Sequence, residues 1–261
     1  MATYLDRILA AHRAAADIDP RSITDLIGEA ESRPGRPPRG FRGAIEGRAS
    51  GVAVIAEIKR RSPSKGDLAP DLVPEVQAKA YESGGATCLS VLTDGEFFGG
   101  SPDDLVAARM ATGLPVLRKD FTVGPADVCD AALMGADAVL LIAAALSPSL
   151  LEQLADLAAH LGLDALVEVH DESEVAVAVA AGATLIGVNQ RDLVTFDVDT
   201  DRAVRVAASI PQGVVRVAES GIRGAGDVTR LAEAGYDAVL VGESLLRSGD
   251  PAAAVAALRG A

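Results

Sequence analysis

The densest chemistry in the sequence is the stretch Glu57-Ile58-Lys59-Arg60-Arg61-Ser62-Pro63-Ser64. It closes a β-branched apolar run, Val52-Ala53-Val54-Ile55-Ala56, which predicts a buried strand. A buried strand has no ordinary use for an acid and a base. Strand alternation sets Glu57 and Lys59 on one face and Ile58 on the other. Alone, the pair allows two readings: a partly buried ion pair at a strand end, or an acid–base couple.

Other ionisable groups sit in the same relation to apolar runs. Lys119 follows Val116-Leu117-Arg118, and Glu168 lies inside Ala165-Leu166-Val167-Glu168-Val169. Asn189 and Arg191 end the run begun at Gly182, and Glu219 and Ser220 follow Val214-Val215-Arg216-Val217-Ala218. Only four of the 24 basic residues are lysine (Lys59, Lys65, Lys79, Lys119). Arginine stays protonated, whereas lysine can release a proton when its surroundings lower its pKa, so Lys59 and Lys119 mark positions where arginine would not serve.

Groups so far apart in sequence need a scaffold that gathers them. A phrase recurs at Gly85, Gly135, Gly182 and Gly235, each followed by an apolar run, with spacings of 50, 47 and 53 residues. That is about twice the length of a βα unit, so each phrase marks every second strand. With the intervening runs and the opening strand the count is eight, each followed by a helical pattern such as Leu150, Leu151, Leu154, Leu157. Eight parallel strands alternating with helices over roughly 210 residues predict an α/β protein, a (β/α)8 TIM barrel. A doubly wound open sheet would bring a Gly-rich dinucleotide loop after its first strand, where this chain has Ser62-Pro63-Ser64-Lys65-Gly66. In a barrel, reactive groups project from the C-terminal strand ends. Glu57, Lys59, Lys119, Glu168, Asn189, Arg191, Glu219 and Ser220 would then converge on one rim.

Residues 1–32 read as two amphipathic helices, and Arg33–Gly40 as a Pro/Gly-rich linker, so residues 1–50 form an extension and linker packed on a single domain spanning 1–261. Phe97, Phe98, Phe121 and Phe196 follow strands and Phe41 falls in the linker, which predicts aromatics gathered at one rim. A net charge of −13 argues against nucleic acid or an anionic membrane as partner, and any anionic ligand needs a local positive cluster. Cys88 and Cys129 lack metal-type spacing, and the charged N-terminus precedes no long apolar run. A cytoplasmic protein is expected.

Ser220-Gly221 after the seventh strand and Gly242-Glu243-Ser244 after the eighth put small residues where barrels hold phosphate through backbone N–H groups. Together with Glu57-x-Lys59-x-x-Ser62-Pro63-Ser64, Ser90-Val91-Leu92-Thr93, Phe97-Phe98-Gly99-Gly100-Ser101, Leu117-Arg118-Lys119-Asp120-Phe121, Leu166-Val167-Glu168-Val169-His170, Gly187-Val188-Asn189-Gln190-Arg191-Asp192-Leu193 and Ala218-Glu219-Ser220-Gly221-Ile222, the chain resembles the indole-3-glycerol phosphate synthase family over about residues 50–247. The extension is similar to the one that lies over the barrel mouth in that family.

The resemblance implies ring closure, decarboxylation and dehydration of 1-(2-carboxyphenylamino)-1-deoxyribulose 5-phosphate in tryptophan biosynthesis, without cofactor or metal. It implies Lys119 as general acid, Glu168 as the group facing the developing iminium, and Glu57 with Lys59 as a second acid–base pair. Ser62, Asn189 and Arg191 would hold the carboxylate and hydroxyls, and Phe98 and Phe121 would enclose the ring. Glu219 and Ser220 would complete the polar wall, with Gly221 and Gly242 at the phosphate. The chain departs from the family pattern at Gly124 and Ala126, where a packing change is expected, and at Glu243, whose side chain must point away from the phosphate. His170 is expected on the strand face opposite Glu168, in a structural role. The partner is a small phosphorylated molecule, with the chain a monomer or weak homo-oligomer. Phosphoribosylanthranilate isomerase shares the barrel but lacks the opening motif and the long extension, and a non-catalytic sugar-phosphate-binding barrel would gain little from keeping acid–base groups together.

Overall fold

The computed structural model describes residues 3–32, 37–63, 65–192 and 194–260. Ser64, Leu193 and the linker residues Arg33–Arg36 of the sequence motifs lie outside the described residues. Eight parallel strands form a closed barrel: β1 (Ala53–Ile58), β2 (Cys88–Leu92), β3 (Val116–Lys119), β4 (Ala138–Ile142), β5 (Asp164–Val169), β6 (Leu185–Asn189), β7 (Val215–Glu219) and β8 (Ala238–Val241). Each strand pairs with its sequence neighbours, and β8 closes on β1 with Ala53 opposite Ala238. A two-residue hairpin, Arg61–Ser62 with Gly66–Asp67, rises from the loop after β1.

The repeated glycine phrase has a conformational cause. Gly85, Gly135, Gly182 and Gly235 have φ of 87°, 84°, 77° and 88°. Each ends a helix in the left-handed region, which glycine enters without the steric cost of a Cβ, and turns the chain into the next even-numbered strand.

The N-terminal segment wraps the barrel from top to bottom. Helix α1 (Tyr4–Asp17), capped by Thr3 and Asp6, crosses the C-terminal mouth. Helix α2 (Ile23–Ser32) descends along the helix Pro125–Met134, and Arg21 bridges to Asp130 there at 2.7 Å. The linker reading stops short of α3 (Phe41–Glu46). Phe41 and Ile45 are fully buried in α3, which packs against β2 and β7. Backbone amides of Arg39 and Arg42 donate to Asp137 and Asp164 at 2.7 and 2.8 Å, at the N-terminal strand ends. Phe41 therefore plugs the barrel floor and is not one of the rim aromatics, because the flanking prolines and glycines hid a six-residue helix. Gly124, one of the departures, occupies the N-cap of the helix Pro125–Met134, where Asp127 accepts the Val123 and Gly124 amides. No helix of the described residues is long and apolar enough to cross a membrane.

Candidate active site

Glu57 is the last but one residue of β1, and inward alternation points it into the mouth, 5% exposed. Lys59, two residues on, pairs with Glu57 Oε1. Room for Glu57 comes from β8: a methyl at Gly242 would collide with its carboxylate. Tyr81 holds the strand end by donating to the Glu57 carbonyl at 3.1 Å.

Lys119 ends β3 and reaches across the mouth. Its Nζ lies 2.9 Å from Glu168 Oε2 of β5 and 3.3 Å from Glu219 Oε2 of β7. Both carboxylates are buried, at 1% and 2% exposure. Burial opposes the Lys119 charge, but Glu168, Glu219 and Glu57 outweigh it and hold the ammonium well above the ordinary lysine range. The two acids that share this cation diverge. Burial pushes Glu168 up, and Lys119, His170 and a hydrogen bond with Asn189 more than reverse this, leaving it below the usual carboxylate range. Burial pushes Glu219 up to about 7, helped by Glu168 and Glu57 and only partly offset by Lys119. Among the described residues Glu219 Oε1 has no hydrogen-bond partner, and it fits only because Gly187 on β6 has no side chain to meet it.

Asn189 closes β6, and its Oδ1 accepts the Arg191 amide at 3.0 Å. Arg191 pairs in a short bridge with Val198, and its guanidinium donates to the Phe196 carbonyl at 3.0 Å. After β7, Ser220 and Gly221 have φ of 66° and 76°. A serine in the left-handed region is strained by roughly 1 kcal/mol or more, a cost that collects at functional turns. Gln190 braces this turn by donating to the Ser220 carbonyl at 2.7 Å. Beyond β8, Ser244 donates to the Ile222 carbonyl at 3.0 Å, and Glu243 is engaged by Arg247, one helical turn away, at 3.3 Å.

Every residue singled out from the sequence for this site lines one cavity at the mouth: Glu57, Lys59, Ser62, Phe98, Lys119 and Phe121 from the first half of the chain, and Glu168, Asn189, Arg191, Glu219, Ser220, Gly221 and Gly242 from the second. Tyr4, Leu5 and Ile8 of α1, with Asp120 and Phe196, also line it. None is singled out for the site by the sequence, although Asp120 belongs to the Lys119 motif, Phe196 is expected at the rim, and the extension resembles one that covers the mouth. The Tyr4 ring meets Phe196 edge-on at 5.3 Å, and Phe98 faces Phe121 at 6.1 Å. The walls are thus aromatic and the floor ionic, which suits a planar anionic ligand.

One expectation is overturned. His170 does not face away from Glu168: its Nε2 is 4.0 Å from Glu168 Oε1. Residues i and i+2 share a strand face, and the alternation that joined Glu57 to Lys59 applies here too.

His12, Asp94 and Asp120 form a group of metal-type ligands. Their oxygens are already taken. Asp94 accepts the Phe97 and Phe98 amides at 2.6 and 2.9 Å and His12 Nε2 at 3.0 Å. Asp120 accepts the Phe121 amide and the Arg118 guanidinium at 2.8 and 3.0 Å, as well as the Thr93 hydroxyl. The group therefore ties α1 to the two loops that carry Phe98 and Phe121.

Residues 5–258 match the family model described as indole-3-glycerol phosphate synthase. Among curated proteins, indole-3-glycerol phosphate synthase of Mycobacterium ulcerans (strain Agy99) is 50% identical over 261 residues, covering 98% of this chain and 94% of the relative. The protein of the same description from Mycobacterium tuberculosis (strain ATCC 25177 / H37Ra) is 49% identical, with the same coverage. Among solved structures, thiamine phosphate pyrophosphorylase from Pyrococcus furiosus is similar with a TM-score of 0.60 and 17% identity, covering 80% of this chain and 94% of that one. That likeness bears on the barrel fold alone.

Proposed function

We infer the reaction from the family to which this chain belongs, the indole-3-glycerol phosphate synthases. The chain is a decarboxylating carbon–carbon lyase of tryptophan biosynthesis, closing the pyrrole ring of 1-(2-carboxyphenylamino)-1-deoxyribulose 5-phosphate to give indole-3-glycerol phosphate, carbon dioxide and water. The roles of individual residues are our proposal.

The ring carbon bearing the carboxylate attacks the substrate ketone, and the ketone oxygen must gain a proton as the bond forms. Lys119 supplies it, because its ammonium lies at the cavity floor and the carboxylates around it keep it charged until the ketone arrives. Attack leaves positive charge on the anilino nitrogen, which Glu168 stabilises as a buried carboxylate. Loss of carbon dioxide restores the aromatic ring. The new hydroxyl then leaves as water while the neighbouring ring carbon beside nitrogen loses a proton to form the double bond, with Lys59 and Glu57 as the acid–base pair for the two transfers. Ser62, Asn189 and Arg191 hold the carboxylate and hydroxyls, and the phosphate sits against Ser220, Gly221 and Gly242. Phe98, Phe121 and α1 keep water from the ring. We propose that the chain acts in the cytoplasm as a monomer or weak homo-oligomer.

The observation that carries the assignment is Lys119 Nζ held between two buried carboxylates at the centre of the mouth. The chain has no tryptophan, so indole fluorescence rises over a low protein background. Wild-type protein should convert the synthetic substrate, and Lys119→Met should lower kcat by at least about 1,000-fold while still binding a substrate analogue. Near-normal kcat in that variant would remove Lys119 from the acid role.

A further inference from the structure

Glu168 has one cationic neighbour that the reaction must take away and one that it does not touch. Among the described residues, Lys119 lies 2.9 Å from Oε2 and His170 Nε2 lies 4.0 Å from Oε1. In the resting site Lys119 compensates the buried carboxylate. When Lys119 turns to the ketone and gives up its proton, Glu168 is left beside a neutral amine. A carboxylate 1% exposed then tends to take a proton itself, which would end its use as the counter-charge to the iminium.

The setting of His170 answers that need. Glu174 accepts its backbone amide at 2.7 Å and lies 3.2 Å from Nδ1, so the ring is clamped from behind. Nε2 is buried and has no hydrogen-bond partner among the described residues, and the group it faces is Glu168. The ring borders a second hollow, which meets the substrate cavity's lining at Leu5 and whose charged lining besides His170 is Asp171, Glu172, Glu174, Asp192, Arg202 and Arg205. Four acids against two arginines favour a cationic ring. Burial works against that charge, but Glu174 and Glu168 prevail over burial and Arg202, so His170 is held above the ordinary histidine range.

We propose that His170 is a positioning residue: clamped by Glu174, its ring keeps a positive charge against Glu168, so that this carboxylate stays ionised after Lys119 has turned to the substrate. His170 does not line the substrate cavity and acts only through Glu168. This rests on the reaction assigned above.

The test is the pH profile of kcat for wild type, His170→Gln, His170→Lys and Glu174→Gln, with circular dichroism checking each fold. Without the positive charge Glu168 holds its proton to higher pH, so the acid limb of His170→Gln should rise by roughly one unit, the lower end of what an opposite charge at this range does. Turnover should fall about tenfold at the foot of the limb and by less than about twofold well above it, with KM little changed. His170→Lys should restore the wild-type limb, and Glu174→Gln, which weakens the clamp, should move it the same way by less. A loss equal at all pH values, an unmoved limb, or a lysine variant no better than the glutamine one overturns the proposal. If His170→Gln fails to fold, an unmoved limb in Glu174→Gln overturns it. Absence of turnover in wild type refutes the reaction and the inference together, whereas wild-type turnover with an unmoved limb refutes the inference alone.

Discussion

Glu219 is the acid whose ionisation the fold resists. It shares Lys119 with Glu168, but at 3.3 Å against 2.9 Å, and its second oxygen has no hydrogen-bond partner among the described residues. The native state therefore binds a proton at Glu219 more tightly than the unfolded chain does, up to about 7 from 4.5. A carboxyl shifted upward contributes stability that is complete below 4.5 and is lost as pH rises through about 7. Glu219→Gln removes that loss. The unfolding free energy from urea titration should rise at pH 8, by up to about 3 kcal/mol, and change far less at pH 5. An equal gain at both pH values would mean that Glu219 does not titrate in this range. At this scale the sequence was most legible where chemistry falls at strand ends, because barrel topology turns a position in the chain into a place on the rim: Glu57, Lys119, Glu168 and Glu219 were readable for that reason. The partition of charge between Glu168 and Glu219 was not, since it depends on which neighbours each meets in space, His170 and Asn189 for Glu168 and the other carboxylates for Glu219, which no spacing encodes.

At the scale of elements, α1 is the piece whose place over the mouth comes from the family resemblance and not from its own residues. Its apolar stripe predicts a helix, and Ile8 and Leu9 are buried as that stripe requires. Where a helix docks is decided by partners far along the chain, so Tyr4 and His12 carried no local sign. His12 is the polar tie. It lies 3.0 Å from Asp94 and 3.8 Å from Asp120, and its ring packs on Phe121 at 5.5 Å. Burial lowers its affinity for a proton, but Asp94, Asp120 and Asp127 more than compensate, so it titrates above 6.5. The stabilisation from this tie is therefore complete below 6.5 and fades as pH rises through the raised value. His12→Ala should lower hydrogen-exchange protection in α1 by about tenfold at pH 6, a charge-assisted hydrogen bond's worth. The gap from wild type should close toward pH 9, after correction for intrinsic exchange. A gap independent of pH would assign His12 to packing alone.

For the whole molecule, we propose that residues 1–261 form a single barrel domain on which 1–50 is an extension. Every barrel strand is paired on both sides, so no strand needs α1 to complete its hydrogen bonds. The buried apolar residues of α1 are Ile8 and Leu9, worth roughly 3–6 kcal/mol as an upper estimate. That is within what a domain of this size tolerates losing, whereas α3 plugs the floor with Phe41 and Ile45 fully buried and should not be removable. A chain starting at residue 23 loses Arg7, Arg13 and Arg21 together with Asp6, Asp17 and Asp19, so its net charge stays at −13. Long-range repulsion of an anionic substrate is then unchanged, and any change in KM reports the missing cover. We expect this chain to keep its circular dichroism and cooperative unfolding at a lower Tm, with KM raised at least about tenfold because Tyr4, Leu5 and Ile8 no longer wall the cavity. Loss of cooperative unfolding would make α1 integral to the barrel, and an unchanged KM would remove it from the substrate site.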